Sequence, residues 1–232
     1  GGQYIAVAAA YSSAFAILLA TRDVGQAAPT QREPVFKNLV GYVQILRENR
    51  TLRWLMILTA ATEVFGFTHQ TLLPVFARDV LGVGSIGLGF MTAVRQGGGI
   101  LGLLLLANLG DFSRKGVVMF VSAVGFGVGQ MMLYLASNIF VFIVVLAFIA
   151  LCASSADTLY KTLMQANVSN EQRGRAMGSW VLSIGVAPAG HIGLGAIAGA
   201  IGAPGAVLIN GSVLAFISIA TMLGLPRIRR LE

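Results

Sequence analysis

Ile139-Phe-Val-Phe-Ile-Val-Val-Leu-Ala-Phe-Ile-Ala-Leu-Cys-Ala-Ser-Ser-Ala-Asp-Thr-Leu-Tyr160 carries no charge through its first eighteen residues. A helix needs about 20 apolar residues to cross roughly 30 Å of hydrocarbon. This stretch is long enough, and it is too continuous for the alternating pattern of a membrane β-barrel. Its backbone groups would find no water inside a bilayer, so the run must close its hydrogen bonds on itself as an α-helix.

Working outward, the same pattern recurs. Apolar runs extend over Tyr4–Ala20, Trp54–Leu73, Ile86–Ala107, Val117–Ala136, Ala176–Ala200 and Gly205–Leu225, making seven expected spans. The fold class this implies is all-α, a polytopic transmembrane helix bundle. Composition agrees: of 232 residues, 56% are hydrophobic and 11% charged, against about 25% charged in a soluble domain. The net charge of +7 would suggest a nucleic-acid partner in a soluble protein. Here the basic residues lie between apolar runs, where they report topology instead. If 21–53 is cytoplasmic, alternation places Arg22, Arg32, Lys37, Arg47, Arg50, Arg53, Arg114, Lys115, Lys161, Arg173, Arg175, Arg227, Arg229 and Arg230 on one side. That is fourteen of the sixteen Lys and Arg, leaving Arg78 outside and Arg95 within a span. A missed or extra helix would scramble that bias. The chain opens on Gly1-Gly2 at the edge of an apolar run, without a basic leader, and reads as a fragment rather than a signal peptide. Cys152 is the lone cysteine and reads as packing.

Four segments follow. Residues 1–20 form one span, 21–53 a cytoplasmic linker, 54–226 a six-helix bundle and 227–232 a cytoplasmic tail. The linker begins with the proline-broken Gln26–Pro34. It then turns amphipathic from Val35 to Arg50, with Val35, Leu39, Tyr42, Val43 and Leu46 at helical spacing, the pattern of a helix lying on the membrane surface. Gly125-x-x-x-Gly129 and Gly195-x-x-x-Gly199 are spacings that let helices pack closely. Gly97-x-Gly99-x-x-Gly102 mimics a dinucleotide fingerprint but lies inside an apolar span with no preceding strand. Asn167-Val-Ser169 is a formal glycosylation sequon on the cytoplasmic side. His69 and His191 lack metal-ligand spacing, and no catalytic constellation is visible. No cofactor, metal or enzymatic activity is expected.

Ionisable residues inside spans mark function by default. Glu63 lies mid-span with Thr59, Thr62, Gly66 and Gln70 on its helical face. It reads as a cavity or proton-coupling carboxyl, or as an interhelical bond. Arg95, mid-span in the next helix, could pair with Glu63 or meet an anionic solute. Asp157 sits near Lys161 toward the cytoplasmic end of its span and reads as a gate or helix-end ion pair.

Two cytoplasmic loops carry a resemblance. Leu109-Gly-Asp-Phe-Ser-Arg-Lys-Gly116 is similar to the G-x-L-A-D-R-x-G-R-K signature of the major facilitator superfamily. Leu109, Asp111, Arg114 and Lys115 match, Ala107 stands where the family has its leading glycine, and the spacing before the basic pair is shorter. Gln165–Gly178 resembles the RGR turn between the fourth and fifth spans of a half, with Arg173, Gly174, Arg175 and Gly178 matching and the usual proline absent. Leu46–Arg53 resembles the interdomain linker. The resemblance implies the C-terminal half of such a transporter plus one extra N-terminal span, closest to the drug and siderophore exporter branch (enterobactin-exporter-like). It implies a multi-pass protein of the inner or plasma membrane that exports a small organic solute by alternating access, as a proton antiporter. Glu63, Arg95, Thr59 and Gln70 would line the path. Asp111, Arg114, Lys115, Asp157, Arg173 and Arg175 would form the cytoplasmic gate. Partners would be a small-molecule substrate, the lipid bilayer and the missing N-terminal half, with no nucleic acid. The alternatives are a seven-helix receptor or sensor, disfavoured because no span holds a lysine for retinal, a membrane lipid enzyme, or a truncated fragment that transports nothing.

Overall fold

The computed structural model describes residues 2–20, 46–136, 138–169 and 172–231, and these are helical throughout apart from short connections, with no strand. The chain falls into two units, Gly1–Asn38 and Leu39–Glu232. Arg22, Arg32, Lys37 and most of the expected surface helix lie outside the described residues.

In the first unit, α1 (Gly2–Ala20) runs 19 residues without a charged side chain. A helix apolar around its whole circumference belongs in lipid or a large core. At 1.5 Å per residue it measures about 28 Å, close to the hydrocarbon thickness.

The described residues of the second unit open with a helical turn at 46–48 and then α2 (Arg50–Phe65), whose first turn is capped by Asn49 accepting from Leu52 N at 3.0 Å. The expected span Trp54–Leu73 is therefore entered one turn early. It is also not one regular helix. After Phe65 the rod tightens into a 3₁₀ segment, Phe67–Leu72, passes through α3 (Leu73–Val75) and ends in a π turn, Phe76–Val80. Gly66 sits at the change, packed so closely that a Cβ there would meet Phe126 Cε1 at 2.7 Å. Thr59, Thr62 and Thr68 each donate back to the carbonyl four residues earlier, a bond that bends helices.

Next come α4 (Gly84–Leu109), α5 (Lys115–Leu135) and α6 (Ile139–Ala166), the last capped by Asn138 accepting from Val141 N. Then α7 (Arg173–Ile184), α8 (Ala187–Gly224) and α9 (Pro226–Arg229) complete the unit. Continuous as α8 looks, it is a hairpin. Gly202 has φ 81° and ψ 162°. Gly190 packs on Thr68, while Asn210 Nδ2 donates to the Thr68 hydroxyl at 3.1 Å. A straight helix would hold residues 190 and 210 about 30 Å apart, so the chain reverses between them. The sixth expected span, Ala176–Ala200, is thus α7 plus the first arm of α8, and the seventh, Gly205–Leu225, is the second arm. Among the described residues, Gly84–Leu109, Lys115–Leu135, Ile139–Ala166 and Ala176–Gly224 are long and apolar enough to cross a membrane.

The helix α5 packs most extensively, against α8 and α6, while α4 packs chiefly on α6. Close crossings rest on glycine. A Cβ on Gly127 would lie 2.7 Å from Gly211 O, and one on Gly211 would lie 2.5 Å from Gly127 O. Gly125 and Gly129 meet Cys152 and Ile149 as expected from their spacing, but Gly195 and Gly199 have nothing within 4 Å. That second motif faces away from its neighbours and packs nothing here. Two apolar clusters fill the unit, one around Phe76, Phe126, Phe142 and Leu214, the other around Leu52, Phe120, Tyr160 and Ile228. The rod α2–α3 passes from Leu58 in one to Leu72 in the other. Its polar residues, Thr59 to His69, occupy the interval between.

One end gathers the basic residues. Asn49 Nδ2 donates to Asn167 O at 3.0 Å, and Gly116 N donates to Leu231 O at 3.1 Å. Arg114 shares a concavity with Arg229 and Arg230, and Arg227 shares one with Arg50 and Gln172. Charge alternation in the sequence requires this common end.

Candidate functional site

The polar interval of α2 faces α6 and α7. Thr62 spends its single hydroxyl proton on Leu58 O, so Tyr160 is the donor across the 3.2 Å contact between their hydroxyls. One turn along α6, Asp157 has both oxygens engaged. Lys161 Nζ donates to Oδ2 at 2.7 Å, and Trp180 Nε1 of α7 donates to Oδ1 at 3.2 Å. The Lys161 ammonium also lies 4.2 Å from the Trp180 ring centre, a cation–π contact. Glu63 is buried to 9% exposure and feels the charges of Asp157 and Lys161, yet it forms no hydrogen bond or ion pair among the described residues. Thr59, 1% exposed, bonds only back to Leu55 O.

Arg95 belongs to a different place. Of the two readings of Arg95, the pair with Glu63 is not formed among the described residues. Arg95 instead lines a cavity of about 50 Å³ with His69, Gln70, Gln96, Phe67 and Ser154. Gln70 therefore leaves the Glu63 stripe and joins Arg95. The reason is the break at Gly66: a 3₁₀ segment advances about 120° per residue against about 100° in an α-helix, so the heptad face does not continue through it. The break also frees a carbonyl. His69 N turns to Gly66 O at 3.4 Å, and the released Phe65 O accepts Gln130 Nε2 of α5 at 3.1 Å. Side chains re-satisfy broken backbone in this way inside membranes. His69, 2% exposed, puts Nδ1 2.7 Å from Gly66 O and stands edge-on to Phe126.

At the basic end, Lys115 pairs at 2.7 Å with Asp111, four residues earlier in the loop before α5, and Asp111 is 96% exposed. That bond holds the Asp111 carboxyl below its usual range. Among the described residues Asp111 therefore bonds to no neighbouring helix in this conformation. Arg114 enters α5 in the left-handed region, φ 66°. Arg173 opens α7 and is exposed; Arg175 follows it in the first turn. At the opposite end Arg78 pairs with Asp79 at 2.6 Å.

Sequence reasoning missed Trp180, Tyr160 and Gln130. A tryptophan one helix-turn beyond the Arg173-Gly-Arg175 turn was the available signal for the first. Nothing local marks the partner of Gln130, because that partner exists only through the break at Gly66.

The sequence matches the Major Facilitator Superfamily over residues 81–231, well over half of the chain. The Staphyloferrin A transporter of Staphylococcus aureus (strain NCTC 8325 / PS 47) is 25% identical over 156 residues, covering 67% of this chain and 38% of that protein. The chain therefore spans under two-fifths of that relative's length. No solved structure matches. The matched region takes in α4 to α9, and with it the Asp111 loop, the Arg173 turn and the glycine crossings. This multi-pass helical membrane protein belongs to the Major Facilitator Superfamily.

Proposed function

We propose that the chain is the C-terminal half, with one preceding span, of a secondary transporter that moves a small organic solute by alternating access. The observation that carries this reading is Glu63: a carboxyl buried in the membrane-spanning region of a transporter-family chain, with no partner among the described residues. An unpaired acid at that depth is costly and is kept where it works. Glu63 takes up and releases the coupling proton, Thr59 lies one turn before it, and Arg95 and Gln70 meet the solute. The relative named as a Staphyloferrin A transporter supports a polar organic solute, and export across the inner or plasma membrane is the direction we assign. The missing N-terminal half supplies the other wall of the cavity. No enzymatic step is required of any residue.

Asp111, Arg114, Lys115, Asp157, Arg173 and Arg175 lie on or near the basic end and form the gate on that side. The exposed Asp111–Lys115 pair is weak in water, so Asp111 can exchange this partner for one on the other half as the protein changes state.

The test is flux in proteoliposomes holding the protein joined to its N-terminal half. An imposed pH gradient should drive solute movement in the wild type, and Glu63→Gln should leave flux uncoupled from the gradient. Unchanged coupling in Glu63→Gln removes Glu63 from the mechanism. Asp111→Ala should shift the balance of inward and outward states. Identical accessibility of introduced cysteines in both proteins would show that the loop is no latch.

A further inference from the structure

Topology explains why basic residues gather at one end of this chain, but not why three of them converge on one hollow. Arg114, Arg229, Arg230 and Val117 line a concavity of about 540 Å³ in which no described acid takes part. Ordinary ligand sites span roughly 300–1,000 Å³. None of the three arginines forms an ion pair with a described acid; the ion pairs among the described residues are Arg78–Asp79, Lys115–Asp111 and Lys161–Asp157. The neighbouring concavity, shared by Arg50 and Arg227, differs in that Glu48 stands in it.

The fold itself brings the three together. Ile228 of α9 is 2% exposed and anchors the tail in the second apolar cluster. Gly116 N donates to Leu231 O at 3.1 Å, and Gly116 lies so close to Ile228 O that no side chain fits between them. Arg229 and Arg230 are thereby held against the start of α5, where Arg114 stands. Arg114 is fixed as well. Its backbone is left-handed, φ 66°, a region few non-glycine residues enter, and its carbonyl accepts from Val117 N at 2.9 Å. Like charges so placed repel one another. An anion among them turns each repulsion into a shared, charge-assisted bond.

The position of the concavity says which anion. It lies where α5 enters the apolar run Lys115–Leu135, at the edge of the hydrocarbon region. Val117 lines it, and Val121, one turn further on the same face of α5, is 58% exposed. Cationic donors above an exposed apolar face match an amphiphile rather than a free ion, and basic pockets at the ends of spanning helices suit lipid headgroups. The planar fork of arginine matches phosphate oxygens in pairs. We propose that this concavity binds the phosphate headgroup of an anionic membrane lipid, with Arg114, Arg229 and Arg230 as its donors and the Val117–Val121 face as the start of the acyl path. The site needs only the membrane placement of the chain and stands whether or not Glu63 carries a proton.

The test is lipid binding by the full chain in neutral detergent micelles, titrated by native mass spectrometry. The probes are phosphatidylglycerol, which is anionic, phosphatidylcholine, whose phosphate is neutralised by its own ammonium, and glycerol phosphate, which lacks acyl chains. Phosphatidylglycerol should bind, phosphatidylcholine several-fold more weakly, and glycerol phosphate not measurably. An arginine beside anionic lipid contributes about fivefold in affinity, the equivalent of about 1 kcal/mol. Arg114→Gln should therefore lose about fivefold in phosphatidylglycerol affinity, and the double variant Arg229→Gln/Arg230→Gln about 25-fold. Arg47→Gln/Arg53→Gln removes the same charge from exposed residues that line no part of this concavity and should bind as the wild type does. An equal loss in the two double variants would reduce the effect to net charge and overturn the proposal. Equal binding of phosphatidylglycerol and phosphatidylcholine would do the same. Glycerol phosphate bound as tightly as phosphatidylglycerol would give the concavity to a soluble phosphate compound and overturn the lipid. If the tail double variant does not fold, Arg114→Gln and the wild-type probe series decide.

Discussion

The crossing of α5 and α8 at Gly127 and Gly211 can be tested by a single methyl group. In Gly211→Ala the new Cβ would lie 2.5 Å from Gly127 O, 2.8 Å from Gln130 Cβ and 2.9 Å from Met131 N, whereas ordinary contact begins at 3.4 Å. Two of these neighbours are backbone and cannot swing aside, so the helices must part by about 0.9 Å at the crossing, the shortfall between those two distances. Overpacking of this kind costs about 1–3 kcal/mol. Replacing glycine by alanine inside a helix returns up to about 1 kcal/mol of backbone entropy. The net expectation is a loss of up to about 2 kcal/mol, and a melting point below that of a glycine replaced where there is space. Gly195→Ala is the matched control: nothing lies within 4 Å of its Cβ, so only the favourable entropy change remains and the variant should melt at or above the wild-type temperature. The assay is thermal unfolding in detergent micelles, followed by helical circular dichroism for both variants at one detergent concentration. If Gly211→Ala melts no lower than Gly195→Ala, the argument that these two backbones touch is wrong.

Other perturbations follow from the same geometry. Trp180→Phe removes the donor to Asp157 Oδ1 at 3.2 Å and weakens the contact with Lys161; a loss of about 1–2 kcal/mol is expected in the same melting assay, and an unchanged midpoint would deny the cluster any structural weight. Gln130→Leu orphans Phe65 O but also removes the enclosed, unpartnered Gln130 Oε1. The two nearly offset, leaving about 1 kcal/mol or less, and a drop several times larger would mean that the amide does more than hold one carbonyl. Asp111→Asn should leave melting unchanged near neutral pH, since its pair is exposed. Because Lys115 lowers the carboxyl's pKa, whatever the pair contributes is present above the unfolded value and lost as pH falls through the folded one; a stability change that appears only in alkaline buffer would contradict this. Cys152, 6% exposed, should resist maleimide in the folded protein and react once unfolded. Rapid labelling in the native state would place it on a different face of α6.

The number of apolar runs and the common end of the basic residues were legible because both depend on simple quantities, run length and charge position. Ile139–Tyr160 could hardly be anything but a spanning helix, and Arg114 meets Arg229 and Arg230 as alternation requires. The polar residue types inside the spans were also legible, since an acid or a guanidinium stands out in an apolar run. Their partners were not. Glu63 and Arg95 carry opposite charges on successive spans, which invites pairing. The change of helical pitch after Gly66 sends Gln70 to Arg95 and leaves Glu63 facing Asp157 and Lys161. The glycine motifs show the same limit. Spacing identified two candidate seams, but it could not tell that Gly125 and Gly129 face α6 while Gly195 and Gly199 face outward. The hairpin in α8 was placed correctly near residues 201–204, because glycine and proline there interrupt an otherwise uniform run.

The borrowed bond between Gln130 and the Phe65 carbonyl has a mechanical corollary. Were that amide to let go, Phe65 could take back the His69 N–H as in an ordinary helix, and the six residues of Phe67–Leu72 would each unwind by about 20°. The accumulated rotation is about a third of a circle, enough to carry the imidazole off the cavity wall it shares with Arg95. The tighter pitch of the rod and the side-chain bond from α5 thus go together, each satisfying what the other leaves open.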